Sequence, residues 1–288
     1  VDPARPRLAG SLSVEVAPTP LGPGTPPPFS RAPALLGQGP WLHLGSERRY
    51  RRWELVSGNP VPAGELSLPP PLGGDEGRPA LSAWGDGLAL ALAGRDPGQI
   101  QSLAVDGQGA PVLGPIGSLD RLGQVTDLLE VQGQLVAAVR QGGLRILAAE
   151  GDTGRPREVA SLALPAESLS LAADGTLTFV ANGEAGLISI ALSRPTEPVE
   201  LSRQRWADQD SGAATLDLLL LPAPAWNHGR RALVLLEGQG GPSPTARSLL
   251  RLIDASDPLR PRELLAAEVA TGSALAALGA DLLVSGPE

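Results

Sequence analysis

Two histidines, one pair of loop aspartates and one arginine-rich run are the places where this chain could do chemistry. His43 stands inside the apolar run Trp41-Leu42-His43-Leu44, and His228 in the Pro222 to Arg231 connection beside Trp226, Asn227 and Arg230. An imidazole near its ordinary pKa can shuttle a proton or ligate a metal, but neither histidine has a second one in its own segment. His43 reads as a packed side chain, and His228 as a loop side chain open to a binding contact. Asp208 and Asp210 flank Gln209 and would give two carboxylates to a Ca2+ ion, which takes roughly six to eight oxygens. The remaining ligands are not in that segment, so two turn carboxylates are the plainer reading, and no other cofactor or metal is expected.

The densest charge is Arg48-Arg49-Tyr50-Arg51-Arg52-Trp53. If Tyr50 begins a strand, alternation puts Arg49, Arg51 and Trp53 on one face and Tyr50 and Arg52 on the other. Guanidinium groups offer planar donor pairs and the rings a stacking surface, which makes the run a candidate seat for an anionic partner. The alternative is a solvated outer strand neutralised within the fold by Glu47, Glu54, Asp75 and Glu76.

Other chemistry is excluded by what the chain lacks. All 23 basic side chains are Arg, so there is no Walker lysine, and with no Cys there is neither disulfide nor thiolate ligand nor Cys nucleophile. The absence of Cys leaves the redox compartment undecided. No G-x-G-x-x-G, G-x-S-x-G, H-E-x-x-H or EF-hand pattern occurs, so no residue is expected to be catalytic. A net charge of −8 argues against a nucleic-acid partner, which needs a basic face. No apolar stretch approaches the roughly 20 residues that cross a bilayer as a helix.

The elements that must carry these residues are short strands. With 42% apolar residues, 36 Gly and 30 Pro, the chain alternates apolar runs with Gly and Pro turns. Only 3% of residues are aromatic, so Leu, Ala, Val and Ile must build the core. One phrase recurs: a strand, an Asp or Ser, a Pro-bracketed turn, another strand. Its last prolines are Pro6, Pro62, Pro111, Pro156, Pro198 and Pro261, at intervals of 56, 49, 45, 42 and 63 residues. That period fits four-stranded propeller blades, none of which buries its own faces alone.

The cleanest unit runs from Ser168 to Leu201, and the one before it from Val125 to Leu162; more divergent units cover 33–68, 79–118 and 214–268. The expected fold is all-β: a single propeller domain over 1–288 with six four-stranded blades, a seventh being the alternative if the longest interval hides one. Ala274–Leu278 and Leu282–Ser285 read as the first two strands of a last blade, and Arg7–Val14 as its outer strand. Pairing them would close the ring and hide its edges, with one strand of that blade missing. The start in mid-phrase without Met is read as a segment of a longer or processed protein.

The longest connections, Ala17 to Ala32, Leu68 to Pro79, Arg203 to Ala214 and Gly238 to Arg247, all fall on one rim by this assignment, and long loops on a rigid scaffold favour recognition. Trp206, Asp208 and Asp210 sit there, so the candidate contact residues are these three with Arg48, Arg49, Tyr50, Arg51, Arg52 and Trp53.

The strand starts Gly143-Leu144 and Gly186-Leu187, with the turns Ser256-Asp257-Pro258-Leu259-Arg260-Pro261 and Asp2-Pro3-Ala4-Arg5-Pro6, resemble the LVIVD-repeat β-propeller proteins of bacteria and archaea. Gly151 to Pro156 and Asp106 to Pro111 lack the first proline of that turn. The resemblance implies an extracellular or cell-surface protein, a periplasmic one being the alternative, in a family mostly without defined activity. The expected function is therefore a non-enzymatic scaffold that binds a protein or glycan through its loop-rich face. The alternatives are a propeller hydrolase or lyase with a carboxylate or metal site at the channel mouth, and an architectural subunit of a larger assembly.

Overall fold

The structure, a computed structural model, describes residues 34–38, 40–46, 49–56, 59–69, 79–92, 97–106, 110–119, 123–206, 213–221, 231–238, 247–270, 274–278 and 281–285. Their strands form antiparallel sheets in chain order. The first sheet holds β1 (Ala34–Gln38), β2 (Trp41–Gly45), β3 (Arg49–Val56) and β4 (Asn59–Ser67). The second holds β5 (Ala80–Trp84), β6 (Gly87–Leu92), β7 (Gln99–Val105) and β8 (Pro111–Ser118). The third holds β9 (Val125–Val131), β10 (Gln134–Val139), β11 (Gly143–Glu150) and β12 (Arg155–Leu162). The fourth holds β13 (Ser170–Asp174), β14 (Leu177–Ala181), β15 (Leu187–Ala191) and β16 (Val199–Gln204). The fifth holds β17 (Ala214–Leu221), β18 (Ala232–Gly238), β19 (Arg247–Asp254) and β20 (Arg262–Ala270). β21 (Ala274–Leu278) and β22 (Asp281–Ser285) make a sixth sheet of two strands. No helix among the described residues is long and apolar enough to cross a membrane.

The first strands of successive sheets touch in series, β1 to β5, β5 to β9, β9 to β13, β13 to β17 and β17 to β21. Sheets that meet at one edge and fan outward are the arrangement of a propeller. Apolar clusters fill each seam between the four-stranded sheets. Tyr50 packs with Leu90 and Leu103, Ile100 with Leu128 and Leu147, Ile146 with Val180 and Ile188, and Phe179 with Leu235 and Ile253. Each fully buried aliphatic or aromatic side chain contributes about 1.5–3 kcal/mol, so the seams between sheets hold the fold together.

The punctuation acts as its chemistry requires. At the β9–β10 hairpin Gln132 and Gly133 both adopt positive φ, 51° and 77°, which matches a two-residue turn to the strand twist. The repeated prolines have a second consequence. In each four-stranded sheet the outer strand bulges three residues after a proline: Ala63 after Pro60, Gly114 after Pro111, Val159 after Pro156, Leu201 after Pro198 and Leu264 after Pro261. In the first sheet the equivalent proline is thus Pro60, not Pro62. A bulge sharpens the strand's twist, and here it does so at the same depth in all five sheets.

Candidate functional site

Aligning the sheets on this bulge shows that the third and fifth carry the same polar residues at the same places. Asp127 in β9 corresponds to Asp217 in β17, Arg145 in β11 to Arg251 in β19, and Glu158 in β12 to Glu263 in β20. Both aspartates sit on innermost strands, where a propeller would place a channel. Asp127 accepts the N–H of Leu128 at 2.8 Å through Oδ1, and through Oδ2 that of Leu171 on the next sheet at 2.7 Å and the Ser170 hydroxyl at 3.3 Å. Asp217 does the same, accepting from Leu218 at 2.8 Å and from Leu275 on the sixth sheet at 2.7 Å. Each carboxylate clasps its own sheet to the following one.

Burial, reinforced by the charge of Asp217, pushes the Asp127 carboxyl up to about 7 against the pull of those hydrogen bonds. A carboxyl titrating there is placed to move protons near neutral pH. Its oxygens, however, are occupied by donors of the fold.

The remaining buried charges are also spent between strands. Arg251, 1% exposed, donates to Glu237 at 2.7 Å and to Glu263, and its guanidinium lies 5.2 Å from the centroid of the Trp206 ring. Arg145 and Glu158 form the corresponding buried pair at 3.6 Å. In the first sheet the His43 Nδ1 is 2.6 Å from the Tyr50 hydroxyl, and Arg52 stacks on Trp41 at 3.5 Å. Burial, with the Arg52 charge beside it, lowers His43 to about 4, and burial pushes Tyr50 up to about 12. His43 is therefore a neutral, packed imidazole at neutral pH.

The arginine strip is divided by the pleat of β3. Arg49 and Arg51 face outward and share one carboxylate, Glu65 on β4, at 3.0 and 3.1 Å. Tyr50 and Arg52 take the opposite face and are buried, and Trp53 is buried too. The carboxylate that meets the strip comes from the neighbouring strand, a partner the chain spacing did not suggest. Trp206, two residues beyond the outer strand of the fourth sheet, is half-buried against the cluster of Phe179, Leu235 and Ile253. Arg48, Asp208, Asp210 and His228 lie outside the described residues, as do Asp75, Glu76 and Arg7–Val14. Among the described residues no group of three or more His, Asp and Glu is placed to hold a metal ion.

Sequence reasoning passed over Asp127 and Asp217. The signal was an Asp inside an apolar run, one or two residues after a Thr, as in Val125-Thr126-Asp127-Leu128 and Thr215-Leu216-Asp217-Leu218.

No family model matches the chain, and no curated protein sequence matches it. Solved structures do, among them the crystal structure of Saccharomyces cerevisiae Sqt1, with a TM-score of 0.56 and 13% identity over 86% of this chain and 66% of that chain. This chain thus spans just under two thirds of the length of that one. At such identity the likeness is one of fold, and it agrees with the propeller-like succession of sheets.

Proposed function

We propose that this chain is a non-enzymatic binding scaffold of the LVIVD-repeat kind: a six-bladed propeller, closed through its N-terminal strand, that works outside the cell or on its surface. Its rim of long connections, with the outward side of the Arg49–Arg51 strip, takes a protein or glycan partner. The observation that carries this reading is the double clasp of Asp127 and Asp217, because the most perturbed acid of the described residues holds sheets together. The exposed Arg49 and the half-buried Arg51 support an acidic or sulfated partner, since guanidinium pairs suit such groups.

A titration of the full chain with sulfated and neutral oligosaccharides tests this. The reading expects saturable, salt-sensitive binding of a sulfated probe, lost in Arg49→Glu/Arg51→Glu at nearly unchanged melting temperature, because exposed ion pairs such as those with Glu65 contribute only about 0–1 kcal/mol. Equal binding by the double variant would remove the strip from the site. A second reading, a propeller hydrolase or lyase, draws on the raised pKa of Asp127 and its coupling to Asp217. In that case Asp127→Asn would abolish turnover of a substrate while leaving the urea midpoint in place; a scaffold would instead lose stability.

A further inference from the structure

The turn between β19 and β20 is built unlike its counterparts on the neighbouring sheets. Asp257 to Arg262 repeats the Asp-x-x-Arg-Pro-Arg phrase of Asp152 to Arg157 in the third sheet. There the arginines are engaged: Arg155 donates to the Ile116 carbonyl of the second sheet at 3.1 Å, and Arg157 lies 4.0 Å from Glu150. In the fourth sheet the turn neutralises itself through Arg194 and Glu197 at 3.3 Å. Counted from the bulge, Ser256 stands where the third sheet has Glu150, and Asp254 where it has Ala148. Arg262 is opposite Asp254 in register, yet among the described residues the guanidinium groups of Arg260 and Arg262 meet no ion-pair or hydrogen-bond partner. Asp254, Ser256, Asp257, Arg260 and Arg262 line one hollow. At the tip beside it is Leu259, 59% exposed, where the third and fourth sheets have Gly154 and Thr196. Leu264, on the strand that follows, is 57% exposed.

This turn is fixed by its own bonds. Ser202 of the fourth sheet donates to the Pro258 carbonyl at 2.6 Å, the Arg231 N–H to the Ser256 hydroxyl oxygen at 3.0 Å, and the Leu259 N–H to Asp257 Oδ1 at 3.0 Å. Its charges are therefore presented in a set arrangement, which lowers the entropic cost of a contact. Both acids precede Pro258 and both arginines follow Leu259, so the two signs balance but stand apart. A partner of one sign would be drawn to one pair and repelled by the other. A fitting partner carries the same two signs in the opposite sense, and this turn is such a partner to itself when turned about a two-fold axis. We infer that the β19–β20 turn is a contact between two copies of this chain. Asp254 and Asp257 of one copy face Arg260 and Arg262 of the other, twice over as two-fold symmetry requires. Leu259 and Leu264 lie beside the charges and lose apolar surface to water in the contact. The inference goes beyond the function proposed above and uses none of the residues of the rim or of the Arg49–Arg51 strip.

Sedimentation equilibrium of the full chain at rising concentration tests it. A turn and its flanks make a contact at the small end of specific interfaces, below about 1,200 Å² in total, so the dimer is weak and reversible. The expected result is a monomer–dimer equilibrium whose dissociation constant rises about 100-fold or more in Arg260→Asp/Arg262→Asp, because like charges then meet at both halves of the contact. The melting temperature of that variant should be nearly kept, since neither guanidinium has a partner within the described chain. Arg194→Asp, at the corresponding turn of the fourth sheet, should leave the equilibrium where it was. If the acidic variant does not fold, Arg260→Gln/Arg262→Gln removes the charge alone and should weaken the dimer about 10-fold. A native chain that stays monomeric at the highest concentrations would overturn the inference. So would a dimer that the double variants leave intact, or one that Arg194→Asp dissolves as well.

Discussion

Arg251 shows how a buried charge is held in this protein. Its guanidinium is 1% exposed and its partner Glu237 is 3% exposed, so each depends on the other for solvation that water no longer provides. Replacing Arg251 by Met removes the guanidinium from beside the buried Glu237, and the expected loss is about 3–5 kcal/mol, read from the urea midpoint. Two other residues give opposed pH effects. The folded pKa of Asp127 is raised to about 7, so the folded chain holds a proton that the unfolded chain releases above about 4, and this contribution to stability is lost as pH rises through 7. His43 is lowered to about 4, so its contribution is present above about 6.5 and is lost as pH falls toward 4. Asp127→Asn should therefore leave a midpoint that rises with pH between about 4 and 6.5; a fall across that window would contradict the assignment. Neither aspartate stood out in the sequence, since an Asp within an apolar run declares its worth only when the neighbouring sheet supplies the N–H it accepts. The packed state of His43 was legible from its apolar neighbours. The shared face of Tyr50 and Arg52 was legible from strand alternation; the burial of Trp53, which alternation places with Arg49 and Arg51, was not.

Strands and turns were the most legible level. Units expected at 33–68, 79–118 and 214–268 appear as sheets over 34–67, 80–118 and 214–270, because apolar runs between Gly and Pro mark strand ends by sterics that no tertiary contact needs to supply. The bulge three residues beyond each proline was hidden, since it depends on register with the adjacent strand. Close approach between outer strands was hidden too. A Cβ added at Gly117 would collide with the backbone oxygen of Pro156 on the next sheet, and one at Gly64 with the ring of Pro111. Gly117→Ala meets backbone rather than a yielding side-chain end, so it should destabilise by about 1–3 kcal/mol. Gly133→Ala has nothing within 4 Å, and its cost comes only from a positive φ of 77°, so its loss should be the smaller in the same unfolding assay. A reversed order would show that the outer strands are not in the contact described.

At the scale of the molecule, the succession of sheets followed from the period of one phrase, because repeated units that cannot bury their own faces must stack on each other. Which carboxylates join the sheets was beyond the reach of the sequence, for the joint is made across 44 residues in one case, Asp127 to Leu171, and 58 in the other, Asp217 to Leu275. The central claim is that these two inner acids clasp neighbouring sheets together. Equilibrium urea unfolding of Asp127→Ala and Asp217→Ala tests it most directly. Each substitution strips the acceptor from backbone N–H groups on two sheets, and an unsatisfied buried donor costs about 1–3 kcal/mol. A loss of about 2–4 kcal/mol in each variant is the predicted result; midpoints equal to that of the native chain would contradict it.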